Sequence, residues 1–142
     1  MVRSFCVFTN NPRLRHSPHY GEVSSLQLLL SVRDRLHRGA VLVNHPLYGN
    51  FRPHQQPFRS LVVEETAESR AVDVESLSLI ERALSIYGAS GPIALPGELD
   101  PSIEADYAYV DGELVRESLA RCGLEALLSS EGRQTDTEEA SS

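Results

Sequence analysis

The 142-residue chain contains no lysine and no tryptophan, one methionine, two cysteines and no long apolar run. Each shortage excludes something. Without an ammonium side chain there is no Schiff-base lysine, no phosphate-loop lysine and no Ser-Lys dyad. The apolar runs, such as Leu28-Leu29-Leu30, fall far short of the roughly 20 residues that a membrane-spanning helix needs. The apolar stretch inside Met1–Thr9 is shorter than a signal-peptide core of roughly 7–15 residues. Cys6 and Cys122 show neither a CxxC motif nor metal-ligand spacing, which suits two reduced thiols in a cytoplasmic protein. No GxGxxG fingerprint follows an early strand and no GxSxG elbow is present, so dinucleotide binding and serine-hydrolase chemistry of the usual kinds are disfavoured.

Positive charge is also scarce. Thirteen Arg face 20 acidic residues, for a net charge of −7. A nucleic-acid binder needs a basic face to gather phosphates, and no basic motif is present. The net charge overstates the acidity of the remainder. Residues 129–142 hold four acids and one Arg, contributing −3 and leaving −4 for residues 1–128. That tail lacks any aliphatic side chain larger than Ala and reads as disordered, with 1–128 as a single domain.

What is present sets an α/β pattern. Phe5-Cys6-Val7-Phe8 is a strand stopped by Thr9-Asn10-Asn11-Pro12, and residues 13–23 read as an irregular loop. From Ser25, the residues Leu26, Leu29, Leu30, Val32 and Leu36 repeat with a helical period that Gly39 closes. Ala40-Val41-Leu42-Val43 reads as a strand buried on both faces. Strand, helix, strand predicts a right-handed βαβ unit with parallel neighbours. A polar and aromatic loop fills 44–57, then a strand of undecided direction covers 58–63. Asp73 is an N-cap for a second helix with Leu77, Ile80, Ala83, Leu84 and Tyr87 inward. Tyr107-Ala108-Tyr109-Val110 reads as a last strand, and a third helix then runs to about Cys122. The expected fold is a three-layer α/β domain with a small, mainly parallel sheet and three main helices.

Several of these segments together resemble the GrdX family. They are Thr9-Asn10-Asn11-Pro12, Val32-Arg33-Asp34 with His37 and Gly39, and His45-Pro46-Leu47 with Gly49 and Arg52-Pro53. Pro57-Phe58-Arg59-Ser60 and the helix from Ser76-Leu77 to Ile80-Glu81 extend the similarity. The motifs cover roughly residues 5–121 and are more specific together than singly. Departures fall at Ala40-Val41, where a His and a basic residue are expected, at Asn50, where Ser is expected, and at His54-Gln55-Gln56. The resemblance implies an accessory role in the glycine, sarcosine and betaine reductase systems whose gene clusters carry such proteins, without a defined molecular activity.

In an open α/β sheet, ligands bind beyond the carboxyl ends of the strands. The candidate ligand-binding residues are therefore Thr9, Asn10, Asn11, Asn44 and His45 at strand ends, with Gly49, Arg52 and Arg59 following. Asn amides and Arg forks suit a small anionic or zwitterionic ligand. No catalytic residue, cofactor or metal is expected from the leading reading. Two alternatives use the same region: an enzyme with His45 as acid or base, and an interaction module whose loop 44–57 docks on a reductase subunit through Tyr48 and Phe51. Neither nucleic acid nor membrane is an expected partner. His16 and His19 have HxxH spacing, but two histidines in a Pro-containing loop make a poor metal site. Arg33, Asp34, His37 and Arg38 read as a solvated helix face.

Overall fold

Alternation along two seven-residue strands organises the molecule. The computed structural model describes residues 3–66 and 71–129. Strand β1, Arg3–Thr9, lies antiparallel to a strand spanning Ser60–Thr66, with every residue of one paired to a residue of the other. Cys6 and Phe8 stand opposite Val63 and Leu61, and Val7 opposite Val62. Side chains on a strand alternate between faces, so these pairs sort into two apolar clusters. Phe8, Leu61 and Val63 pack with Leu28, Leu29, Val32 and Leu36 of one helix and Ile80, Ala83 and Tyr87 of another. Val7 and Val62 pack instead with Leu14, Val115 and Leu119.

The helices begin where the sequence supplies caps. Helix α1, Ser25–His37, is closed by a capping box in which Ser24 and Gln27 satisfy each other's backbone amides. Helix α2, Val74–Ala89, starts at Asp73, whose carboxylate accepts from the Ser76 amide. Helix α3, Pro101–Arg121, has Pro in its first turn and Gly123 in a left-handed conformation just beyond its end. A single 3-10 turn, Glu125–Leu127, follows. None of the described helices is long and apolar enough to cross a membrane.

Four expectations change. The sheet is mixed, not mainly parallel. The strand expected at 58–63 is Ser60–Thr66, here β4, and it inserts between β1 and the strand Val41–Leu42, β3, antiparallel to both. The loop after β3 doubles back to the end of the sheet where β3 stops, which sets β4 antiparallel. Consequently β1 and β3 run the same way but are not neighbours. Second, β3 is a two-residue edge strand with half-buried Val41 and Leu42, not a strand buried on both faces. Third, the loop 13–23 contributes the short strand β2, His19–Tyr20, parallel to β1 at the opposite edge, giving the order β2-β1-β4-β3.

Fourth, Tyr107–Val110 is helical and belongs to α3. Local β propensity there loses to packing, because the buried Ala108, Asp111, Val115 and Leu119 share one face at spacings of three and four. Gly112 sits mid-helix for a steric reason. A Cβ there would lie 2.6 Å from Arg13 Nη1 and 3.0 Å from Leu128 Cδ1. Gly112→Ala is therefore expected to destabilise the fold by about 1–3 kcal/mol through overpacking, despite alanine's better helix propensity. Urea denaturation with an unchanged or raised midpoint would refute this. Of the expected tail, residues 130–142 lie outside the described residues.

Both cysteines are free thiols. Burial, the neighbouring Glu65 carboxylate and a hydrogen bond to it push the Cys6 thiol up to about 11. Burial also raises Cys122. At pH 8 Cys6 is then about one part in a thousand thiolate. A disulfide reagent should modify it far more slowly than it modifies free cysteine.

Candidate functional site

The carboxyl ends of β1 and β3 and the amino end of β4 meet at one end of the sheet, as the register of Thr9 against Ser60 requires. The sequence-derived candidates gather at this end, but most turn inward. Asn10 is 2 % exposed. Its Nδ2 donates to the carbonyls of Val23 and Pro57, and its Oδ1 accepts from the Arg59 amide. Asn11 is fully buried. It donates to the Ala108 carbonyl and to Asp111 Oδ2, and accepts from the Arg13 amide. Asn44 bonds Ser60 and Val62 along the open edge of β4 beyond β3. These amides act as chain-to-chain ties, with their donors and acceptors spent on the fold.

Thr9 joins a buried polar network that the sequence did not reveal. Its hydroxyl lies 2.8 Å from that of Ser60, and Ser60 donates to Asp111 Oδ2 at 2.9 Å. The Tyr48 hydroxyl donates to Asp111 Oδ1 and accepts from the Ser60 amide. Asp111, 1 % exposed, thus accepts from three side chains supplied by β4 and by the loops after β1 and β3. Burial raises it above the ordinary carboxylate value, partly offset by its hydrogen bonds to Tyr48, Asn11 and Ser60 and by the Arg59 charge. Burial and the nearby carboxylate push the Tyr48 phenol well above its ordinary value. Three donors aimed at one carboxyl favour its ionised form.

Arg59 is the counterpart cation, 1 % exposed. Its Nε donates to the Tyr87 hydroxyl, Nη1 to the Pro46 and Tyr48 carbonyls and Nη2 to the Phe51 carbonyl. Its guanidinium carbon lies 5.2 Å from the centre of the Tyr48 ring and 5.8 Å from that of Tyr87. Burial acts against its charge, but the two tyrosines and Asp111 outweigh it and raise the guanidinium further. Arg59 therefore holds loop 44–57 against the sheet end.

The remaining candidates lie on that loop. His45 is exposed and its Nδ1 accepts from the Leu47 amide. Gly49 is exposed in a left-handed conformation, where a Cβ would strike Leu114. Arg52 is exposed. Tyr48, offered by the sequence as a docking anchor, is committed inward through its hydroxyl, and Phe51 packs edge-on against Tyr107. The polar face of α1 is tied elsewhere, with Arg33 reaching Glu81 of α2 at 3.4 Å. His19 stacks on Phe8 with ring centres 4.3 Å apart, and burial lowers its basicity. Among the described residues no group of three or more His, Cys, Asp or Glu gathers in metal-binding geometry.

Sequence reasoning missed Asp111 and Arg13, and it gave Tyr87 only as an inward core residue, not as a partner of Arg59. Asp111 was readable in principle, as an acid on the apolar stripe of Ala108, Val115 and Leu119, but only once 107–119 is taken as helix. Arg13 is 2 % exposed. It bonds the carbonyls of Ser129 and Tyr109 and pairs with Glu113 at 3.1 Å, under α3.

Open space lies beside this end. A groove of about 560 Å³ separates the start of α1 from segment 95–104, with Asn10, Val23 and Phe58 among its walls. A smaller, largely apolar one of about 310 Å³ adjoins it along the first turns of α3, sharing Pro12, Phe58, Gly97 and Glu104. The larger volume falls in the range of small-molecule sites.

A family model, described as GrdX-like protein, matches residues 6–120. No curated protein and no solved structure matches the chain.

Proposed function

We propose, from the premise that this chain belongs to the GrdX-like family, that it is an accessory protein of glycine, sarcosine or betaine reductase systems. It works without catalysis, by binding a small zwitterionic or anionic ligand beyond the carboxyl end of β1. The observation that carries this reading is the groove of about 560 Å³ at that strand end, where open α/β sheets take their ligands. The ligand would meet the groove walls, because the amides of Asn10 and Asn11 are already paired. The same reading takes the helices as two layers about the sheet, supported by apolar clusters on its opposite faces. It takes the protein as cytoplasmic, in keeping with two unpaired cysteines.

Thermal unfolding in the presence of glycine, sarcosine, betaine, phosphate or acetyl phosphate tests this. A ligand at one hundred times its Kd adds about 2.7 kcal/mol to stability by mass action and raises Tm by several degrees. Pro96→Trp, which fills the groove from its rim, should abolish the shift and leave the unliganded Tm nearly unchanged. If no compound moves the curve, ligand binding at this site is wrong.

A further inference from the structure

The groove has a charge character that the sequence did not indicate. Among the described residues, its charged lining side chains are two carboxylates, Glu22 and Glu104, with no Arg or His. Glu104 already accepts from the amides of Gly97 and Leu99. It fixes the wall formed by segment 95–99 and lines the cavity. Glu22 is exposed at the rim. It sits close enough to Tyr20 to help raise that phenol, where burial is the larger cause.

Several of the groups that could have welcomed an anion are spent. Asn10 has both amide donors on carbonyls. At the start of α1 the Ser24 and Gln27 side chains close on each other's backbone amides. In the adjoining smaller cavity the Arg13 guanidinium is held by Glu113 and two carbonyls. Arg59 faces loop 44–57. The rest of the floor and wall is apolar or aromatic, built chiefly from Val23, Phe58, Leu95 and Pro96 with Tyr20 at the side.

We infer that this groove selects an organic cation: an amine whose ammonium faces Glu22 and the Tyr20 ring while its apolar part lies against Phe58 and Leu95. Two physical terms support it. A charge-assisted hydrogen bond to a carboxylate is stronger than a neutral one, and an aromatic face attracts a cation. An anion entering the same space would meet two carboxylates without a cation to offset them. This inference rests on the reading of the groove as a ligand site and narrows it, since a zwitterion would be held through its ammonium end.

The test uses two probes of similar shape and opposite charge, 2-phenylethylammonium and 3-phenylpropanoate, titrated against the full chain at pH 7 and low salt. Binding is read from amide NMR shifts. The amine should move Val23, Gln27 and Gly97, and the carboxylate should not. Glu22→Gln removes one exposed charge and should weaken the amine by about tenfold, the size of a charged hydrogen bond, with the unliganded Tm unchanged. Equal or tighter binding of 3-phenylpropanoate, or an unaltered Kd in Glu22→Gln, overturns the inference. If phosphate or acetyl phosphate stabilises the protein while amines do not, the ligand-site reading stands and this one fails. If nothing binds, both fail.

Discussion

Asp111→Ala lowers the free energy of unfolding by about 3–5 kcal/mol, the loss that follows when one member of a buried charged network is deleted. The magnitude comes from what is left behind. The Tyr48 hydroxyl, the Ser60 hydroxyl and one Asn11 hydrogen lose their common acceptor. Each buried donor without a partner costs about 1–3 kcal/mol, reduced where local relaxation finds another acceptor, and Arg59 loses its nearest buried countercharge. Urea denaturation checks the result, and a loss below about 1 kcal/mol would mean that water reaches the network. The pH dependence has a definite sign. Because the folded-state carboxyl is raised by burial, the folded protein holds this proton more tightly than the unfolded chain does. The contribution of Asp111 to stability therefore falls as pH rises from the ordinary carboxylate value through the raised one, and is constant above it. Asp111→Asn removes that slope, which a comparison of urea midpoints across acidic pH would show.

Arg59→Met should cost a similar amount, about 3–5 kcal/mol. Methionine keeps much of the apolar stem but abandons the carbonyls of Pro46, Tyr48 and Phe51 and the Tyr87 hydroxyl. The damage should be directional. Loop 44–57 is held at those carbonyls, so hydrogen exchange should quicken at residues 47–51 well before the β1–β4 ladder is affected. Combining Arg59→Met with Asp111→Asn should cost less than the two separate losses added, since neither charge is then left alone. Strict additivity would show that the two groups act independently.

These residues also mark where the sequence was legible. Asn10, Asn11 and Asn44 stood out as polar groups at strand ends and Arg59 as a charged fork, and the structure brings them to one end of the sheet. Their spacing could not reveal which way they face. Asn11 and Asp111 are one hundred positions apart, and only their meeting shows that the amide is spent inside the fold. Tyr48 illustrates the converse. On an irregular loop an aromatic residue reads as a surface anchor, yet its hydroxyl closes the network under that loop.

The sequence by itself determined the elements with strong local signals. Helix α1 followed from its apolar period and Gly39, and α2 from the Asp73 cap and the residues Ile80, Ala83 and Tyr87 turned inward. Strand β1 followed from Phe5–Phe8 and the Asn-Asn-Pro stop, because turn chemistry is local. The family resemblance was carried by segments spread from Thr9 to Glu81, and the family match spans residues 6–120. Only the tertiary structure decided the direction of β4, the helical state of Tyr107–Val110 and the carboxylate lining of the groove. Each depends on partners distant in the chain: β1 for β4, the packed face of Val115 and Leu119 for α3, and the placing of Glu22 and Glu104 in the lining of one groove. The scarcity of positive charge gains its meaning there. With lysine absent, Arg13 and Arg59 serve as buried ties beneath α3 and loop 44–57, and acidic side chains supply the charged lining of the groove.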